Sequence, residues 1–382
     1  MEKQSIPQLR FPEFCDEWKI KKIENILSIG SGKDYKHLQD GEIPVYGTGG
    51  YMTSVNEFLY DGESVCIGRK GTIDKPVFLN EKFWTVDTLF YTHSFKQVLP
   101  RFVYSLFQNI NWYKHNEASG VPSLSKKTIE KINITIPQIT EQQKIASFLS
   151  DVDQVITKLT KKKTLLEQYK KGIMQKIFNQ ELRFKDDNNN EFPDWQKNKL
   201  GKSVKFLKGK GLPKSEIVCD GQYKCIHYGE LFTKYNELID NIISRTNDND
   251  KTILSKVNDV LMPTSDVTPN GLATASCIKE SNVILGGDVL IIRQDIKKIE
   301  GVYLAYYIKH FRNDVMKLVS GSTVYHLYGS DMKNLQILIP CLDEQIKIAN
   351  FLTDIDLKIA VLNTKIASNQ NFKKGLLQKM FV

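Results

Sequence analysis

The sequence predicts an α+β protein built twice over. Two blocks of twisted, mostly antiparallel sheet with helices are joined by two long helices, which pair as an antiparallel coiled coil with pseudo-twofold symmetry. Three observations predict this. The segment from Pro137 to Phe178 returns as Pro340 to Phe381 without a gap, at an offset of 203, with 19 of 42 aligned positions identical. Within each copy apolar residues recur every seven positions, the period of a coiled-coil seam. The stretches ahead of the copies, residues 1–136 and 182–339, carry short strand-length apolar runs first and an amphipathic helix late, the order of an α+β domain.

Composition sets the bounds. The 382 residues are 41% hydrophobic and 10% aromatic, enough for packed cores and too much for a disordered or fibrous chain. A net charge of +9 favours a polyanionic partner over an acidic small substrate. The six cysteines show no CxxC spacing, and no Cys–His cluster has zinc spacing, so no metal is expected and the thiols read as reduced and structural. The opening residues lack the apolar core of a signal peptide, and no apolar run reaches membrane-spanning length. The expectation is a soluble, cytoplasmic protein with no membrane partner.

The first block (1–136) contains strand runs such as Ser64–Ile67, Gly-containing turns and a late helix near 100–114. Three of its loops have the small residues, free amides and cations that phosphate positioning and groove readout require. They are the turn Tyr46, Gly47, Thr48, Gly49 and Gly50; the pair Arg69 and Lys70 with Thr72; and the run carrying Ser119, Gly120, Ser123, Ser125, Lys126 and Lys127.

The first repeat helix (137–181) follows Pro137, which ends a strand. Its seam is Ile145, Val152, Leu159, Leu166 and Ile173, with Phe148, Val155 and Tyr169 three positions further on. Thr140 is the expected N-cap, and Glu141 in the first turn suits the helix dipole. About 37 helical residues make a rod of roughly 55 Å, whose stripe needs a partner. Antiparallel pairing of the two copies is the economical solution; packing of each helix on its own block, or oligomerisation, is the alternative.

The second block (182–339) restarts with Leu182-Arg-Phe184 and Trp195, matching Leu9-Arg-Phe11 and Trp18. It is longer by about 26 residues and has its late helix near 301–318. Its candidate DNA-facing residues are Lys208, Lys210, His227, Tyr228, Thr264, Ser265, Arg293, Ser320, Ser322, Thr323, Tyr325 and His326. The second repeat helix (340–382) places Ile348, Ile355, Leu362 and Leu376 in the seam with Phe351 and Phe372. Asp343 is its expected N-cap, and Asn369 is either a register-fixing polar residue or a surface one. Because Phe178 runs straight into Leu182-Arg-Phe184, while Phe381 and Leu9-Arg-Phe11 lie at the two chain ends, those ends should meet, as in a ring cut once.

Catalytic signatures are missing. The turn at Tyr46 lacks GxGxxG spacing, Gly201-Lys-Ser203 lacks the upstream P-loop glycine, and no Pro-Pro pair exists to hold a flipped adenine. Glu17-Trp-Lys19 and Asp331-Met-Lys333 are isolated carboxylate-x-Lys fragments. The chain reads as a binder.

With the doubled Pro-x-x-x-Glu-Gln-x-Lys-Ile-Ala-x-Phe-Leu helices and the Leu-Arg-Phe … Trp block starts, the sequence resembles the DNA specificity subunit of type I restriction-modification systems. Tyr46-Gly-Thr-Gly-Gly50, Gly68-Arg-Lys-Gly-Thr72, Trp84-Thr-Val-Asp87 and His227-Tyr-Gly229 are similar to target-recognition motifs of that family. The resemblance implies a non-catalytic subunit with two target-recognition domains that read the two halves of an asymmetric bipartite site in double-stranded DNA. It implies two modification subunits that methylate adenine N6 with S-adenosylmethionine. It further implies restriction subunits, endonuclease and translocase, that use ATP and magnesium. No cofactor is expected in this chain, and the helix pair would set the spacing of the half-sites.

Overall fold

The computed structural model describes residues 6–249 and 253–382; residues 1–5 of the first block and 250–252 of the second lie outside it. The chain divides into two compact units, and the divisions fall in the middle of the long helices rather than at their ends. One unit holds residues 1–162 with 362–382, the other residues 163–361. Each therefore contains one block, part of the helix Ile139–Phe178 and part of the helix Leu342–Met380.

In the first unit a six-stranded sheet runs in the spatial order Ser28–Ser31, Leu89–His93, Tyr60–Gly68, Val77–Thr85, Asp40–Gly47, Gly50–Val55. All its pairings are antiparallel except Asp40–Gly47 against Val77–Thr85. The helix Pro100–Asn109 covers it, starting on proline, whose missing N–H costs nothing at that position. The expected late helix is thus shorter, with a 3-10 turn at Trp112–His115 completing the span. In the second unit a five-stranded sheet lies in the order Val204–Lys208, Val289–Gln294, Val260–Pro263, Ser276–Ile278, Leu238–Ile239. A four-stranded sheet accompanies it, and the late helix is split into Gly301–His310 and Arg312–Met316. The first strand of each block pairs with its last, Lys19–Lys22 with Asn133–Ile136 and Gln196–Lys199 with Gln336–Ile339. Both closing strands end one residue before the proline that precedes the long helix.

The repeated motif is a clamp made twice. In the first unit Arg10 donates Nε and Nη2 to the two carboxylate oxygens of Glu141, each at 2.8 Å, and the Trp18 indole donates to the same group at 3.3 Å. In the second, Arg183 meets Glu344 at 3.1 and 2.8 Å and Trp195 donates at 2.9 Å. Both carboxylates are buried, so a bidentate guanidinium and an indole N–H supply the partners that burial demands. These bonds hold both arginines above their usual pKa. The next residue serves the block. Gln142 accepts the N–H of Leu99 and donates to Gln97 and Pro137 carbonyls. Gln345 accepts the N–H of Glu300 and donates to Lys298 and Pro340 carbonyls. Each glutamine thereby fixes the start of its block's late helix. The phenylalanines of the Leu-Arg-Phe motifs pack edge-on against the long helices, Phe11 on Phe148 and Phe184 on Phe351.

Within each unit the two helix segments pair antiparallel, the start of one sharing a core with the end of the other (Ile145 and Leu149 with Leu377 and Met380 in the first, Ile348 and Leu352 with Met174 and Ile177 in the second), and one duplicated ion pair ties them further along. Lys373 holds Asp153 at 2.6 Å in the first unit, and its repeat counterpart Lys170 holds Asp356 at 2.7 Å in the second. Ile145, Leu362 and Leu376 are buried in the first unit, and Ile348 and Ile355 in the second; Phe148, Val152, Leu159, Leu166, Ile173 and Phe351 are partly buried. The stripe is narrower than its heptad suggests, because Val155, Tyr169 and Phe372 are about half exposed. The caps also differ. The helices begin at Ile139 and Leu342, so Thr140 and Asp343 lie inside the first turn. Asn369 is half-buried and donates to the Lys365 carbonyl of its own helix.

The Leu9-Arg-Phe11 motif and the end of the second long helix meet as expected. Leu9 N–H bonds the Lys379 carbonyl at 2.9 Å, and Phe381 packs on Trp18 and Phe102. The continuous junction repeats the arrangement, with Leu182 N–H on the Lys176 carbonyl at 3.1 Å and Phe178 against Tyr303 and Tyr307.

Candidate nucleic-acid interface

In the first unit the three candidate loops come together. Gly47 and Gly50 pair across a two-residue turn, Thr48–Gly49, and Gly50 has φ +104°, which favours glycine. Nothing lies within 4 Å of where a Cβ would stand on Gly49, Gly50 or Gly120, so backbone is open to a ligand there. Gly68 is the joint: a Cβ on it would stand 2.0 Å from the Thr72 carbonyl oxygen and 3.2 Å from the Thr48 methyl. The Arg69–Thr72 loop is zipped to the third loop by Gly71 N–H to Pro122 and Leu124 N–H to Arg69 carbonyls, and Lys70 bridges to Ser123. Arg69, Lys70, Ser123 and Lys126 line a cleft of about 650 Å³ with Asp87, Thr88 and Glu117. Lys127, Ser119 and Gly120 are exposed beside it.

Two candidates there have other work. Ser125 caps the short helix Lys126–Glu130, its hydroxyl accepting the Thr128 N–H at 3.2 Å. The Tyr46 hydroxyl donates to Glu81 at 2.7 Å, and burial followed by that carboxylate pushes its pKa up to about 12, so it stays a neutral donor. Sequence reasoning missed Asn116, whose side-chain oxygen accepts the N–H groups of Ala118 and Ser123 and folds the third loop back on itself. An Asn before a Ser-Gly turn is the signal that was there to find.

In the second unit Asp288 is the hub. It pairs with Lys208 at 3.2 Å, accepts the Thr264 hydroxyl at 3.2 Å, and its carbonyl takes the Thr264 N–H. Gly209 passes so close to Gly286 that a Cβ would stand 2.0 Å from the Gly286 carbonyl oxygen, while Lys210 N–H bonds Leu285 and Gly286 N–H bonds Ile226. This brings Lys208, Lys210 and His227 to one end of the sheets. Thr264 also holds Leu327, Ser265 pairs with His326, and Ser320 exchanges both backbone bonds with His326. His326 stacks on Tyr328, leaving Ser322 and Thr323 exposed at the tip. A cleft of about 300 Å³ lies between Lys208, Tyr328, Ser330 and Lys333.

Four candidates have other contacts in these surroundings. Thr264 is buried and its hydroxyl is spent on Asp288. Tyr325 packs partly into the core, and Tyr228 lies partly buried with its ring edge-on to Phe232. Arg293 does not join the loops: it sits at the far end of its strand, where Asp259 holds its guanidinium at 2.8 and 2.6 Å and the Leu254 carbonyl takes a third bond. The cation is committed to a buried carboxylate.

Among the described residues no group of His, Cys, Asp and Glu is placed to hold a metal ion, and no helix is long and apolar enough to cross a membrane. What the clusters offer is exposed backbone at glycines, lysine and arginine side chains, and oriented donors, the groups that position phosphate and read base edges.

Comparison with known proteins places this arrangement. The chain is 25% identical to the type I restriction enzyme MjaVIII specificity subunit of Methanocaldococcus jannaschii, an alignment covering 97% of this chain and 92% of that one. Its fold is similar to the crystal structure of a type I restriction-modification S subunit from M. genitalium, with a TM-score of 0.70 at 14% identity over 99% of both chains. A second solved structure, described as underlying complex assembly and conformational transition of the type I R-M system, matches at a TM-score of 0.51 and 14% identity over 95% of this chain and 96% of its own. The model of the type I restriction modification DNA specificity domain matches residues 15–168 and again 193–368, one match for each block with its helix, and the chain belongs to that family of non-catalytic, DNA sequence-recognising subunits.

Proposed function

We propose that the two blocks are target-recognition domains for two different half-sites of an asymmetric, bipartite double-stranded DNA sequence, and that the paired helices set the spacing between them. The observation that carries this is the duplicated clamp. Two blocks with unlike loop clusters are attached to matching helices through the same Arg–Glu–Trp and Gln contacts. A constant mount carrying dissimilar readers is what two half-sites and one fixed spacer require. Half-sites read in successive major grooves lie about 34 Å apart, and the intervening bases go unread.

Phosphate contacts from Arg69, Lys70, Lys126, Lys127, Lys208 and Lys210 supply the sequence-independent grip, and the glycine turns and neutral donors supply discrimination. The chemistry belongs to partners. Two modification subunits using S-adenosylmethionine take the adenine out of the stack and methylate its N6, and restriction subunits use ATP and magnesium. The exposed apolar residues on the long helices, Val155, Leu165 and Tyr169 on one and Leu357, Val361 and Phe372 on the other, support docking of partner helices there.

The test is exchange of residues 1–136 for the corresponding block of a relative, followed by genome-wide sequencing of methylated adenines. One half-site changes, while the other half-site and the spacer stay. A change in both halves, or in the spacer alone, sinks the reading.

A further inference from the structure

In the second block the hydrogen-bonding state of His227 is dictated by its surroundings. His227 follows the strand Tyr223–Ile226, and its backbone N–H is held at 2.9 Å by the carboxylate of Glu230. Glu230 is 5% exposed and is itself bound by Lys234 at 2.6 Å and by the Ser244 hydroxyl, so the turn is braced from beneath. The Gly229 N–H donates to His227 Nδ1 at 3.1 Å, and a Cβ on Gly229 would stand 3.2 Å from that nitrogen. Nδ1 is therefore the acceptor, and the proton of the neutral ring sits on Nε2. The ring lies against Tyr228, half-buried, with Glu230, Lys214 and Asp288 as its charged neighbours and Lys208 paired to that Asp288. Lys208 and Lys210 belong to the same loop cluster.

We propose that His227 is a specificity-determining residue of the second block, a fixed neutral donor that gives its Nε2–H to an acceptor on a base edge in the major groove. The inference rests on the DNA-recognition role of this loop cluster proposed above. Guanine offers N7 and O6, adenine N7 and thymine O4, whereas cytosine presents a donor there. A lone N–H that cannot accept is thus repelled at cytosine, and the position it reads discriminates most strongly against that base. The ring is uncharged, so its contribution is sequence-dependent, unlike that of the lysines around it.

The test uses the full chain assembled with its modification subunits and a pool of duplexes randomised across the second half-site. His227→Ala should flatten one position by roughly 2- to 13-fold, what a single neutral hydrogen bond of about 0.5–1.5 kcal/mol supplies, while Lys208→Ala weakens all sequences alike. His227→Gln keeps a donor and adds an acceptor, so it should shift the same position towards adenine. That variant also carries the test if His227→Ala fails to fold. Acidification is a further readout. Burial holds the imidazole below its usual pKa, with Lys214 acting the same way and Glu230 and Asp288 opposing it. Protonating Nδ1 would set it against the Gly229 N–H, so discrimination in the native protein should fade as the pH drops through that lowered value and stay level in His227→Gln. Unchanged preferences in both variants, or uniform weakening that marks a phosphate contact, overturn the proposal. A native complex with no preference in this half-site overturns the recognition role beneath it instead.

Discussion

Replacing Arg183 by Met should destabilise the second unit by about 3–5 kcal/mol, the cost of stranding a buried charge. Glu344 is fully buried, and Arg183 supplies two of its three side-chain hydrogen bonds, at 3.1 and 2.8 Å; only the Trp195 indole remains after the change. Arg183 also donates to the carbonyls of Phe192 and Pro193, so the segment entering the block loosens as well. The double change Arg183→Met with Glu344→Leu removes the stranded charge; beside the Phe192 and Pro193 carbonyls that lose Arg183 in both variants, it orphans the indole N–H, worth about 1–3 kcal/mol. The double variant should therefore be more stable than the single one. Urea unfolding followed by tryptophan fluorescence reads this, because Trp195 is in the second unit while Trp18, Trp84 and Trp112 are in the first. The transition of the second unit should move and that of the first should not. A loss under ~1 kcal/mol for Arg183→Met, or additive losses in the double variant, would refute the view that the bidentate pair is what neutralises the carboxylate.

Three further outcomes are expected. Burial raises the pKa of Glu237, but Lys309 and Lys170 outweigh it and hold the group below its usual value. A lowered folded pKa means stability that is complete above about pH 4.5 and lost as the pH falls through the folded value, so the gap between native protein and Glu237→Gln should close on acidification, as unfolding midpoints at pH 7 and pH 3.5 will show. A chain that joins Val382 to the start and opens at the exposed turn of Asn179 and Gln180 should fold with a melting temperature within ~5 °C and keep its DNA preference, since Leu9 and Lys379 are already bonded; an insoluble product would contradict the ring-like plan. Changing Lys126 and Lys127 to Ala should lower the slope of log affinity against log salt by ~0.9 for each phosphate that is no longer neutralised, and a slope that does not move would remove them from the interface.

The architecture was legible wherever it depends on periodicity and duplication. The strand-ending prolines, the heptads from Ile145 and Ile348 and the strand-rich blocks all express short-range rules. The repeat marked the Leu-Arg-Phe motifs and the first-turn glutamates as recurring, but not that they pair: Arg10 reaches Glu141 from 131 residues away, and Arg183 does the same to Glu344. Loop chemistry was legible in type and not in use. Ser125 looks like a free hydroxyl until its helix places it at a cap. Arg293 looks like a free cation until the fold brings Asp259 to it from 34 residues away. The convergence of the loops turns on Gly68 and Gly209, where the backbone comes too close to a neighbouring segment for any side chain. Such encounters are tertiary facts, and a residue string does not display them. Glu237 falls in the longer second block and has no counterpart to betray it.

Beside the arginine and tryptophan of the clamp, the attachment of each block to its helix is written in main-chain atoms on the block's side. Gln142 grips the carbonyl of Gln97 and the amide of Leu99, and Gln345 grips those of Lys298 and Glu300. Side chains at those places are free to vary as long as the peptide groups stay put. An incoming domain that keeps the arginine and tryptophan of the clamp can therefore be seated by recombination without any adjustment of the helix that receives it, however much the rest of its sequence differs.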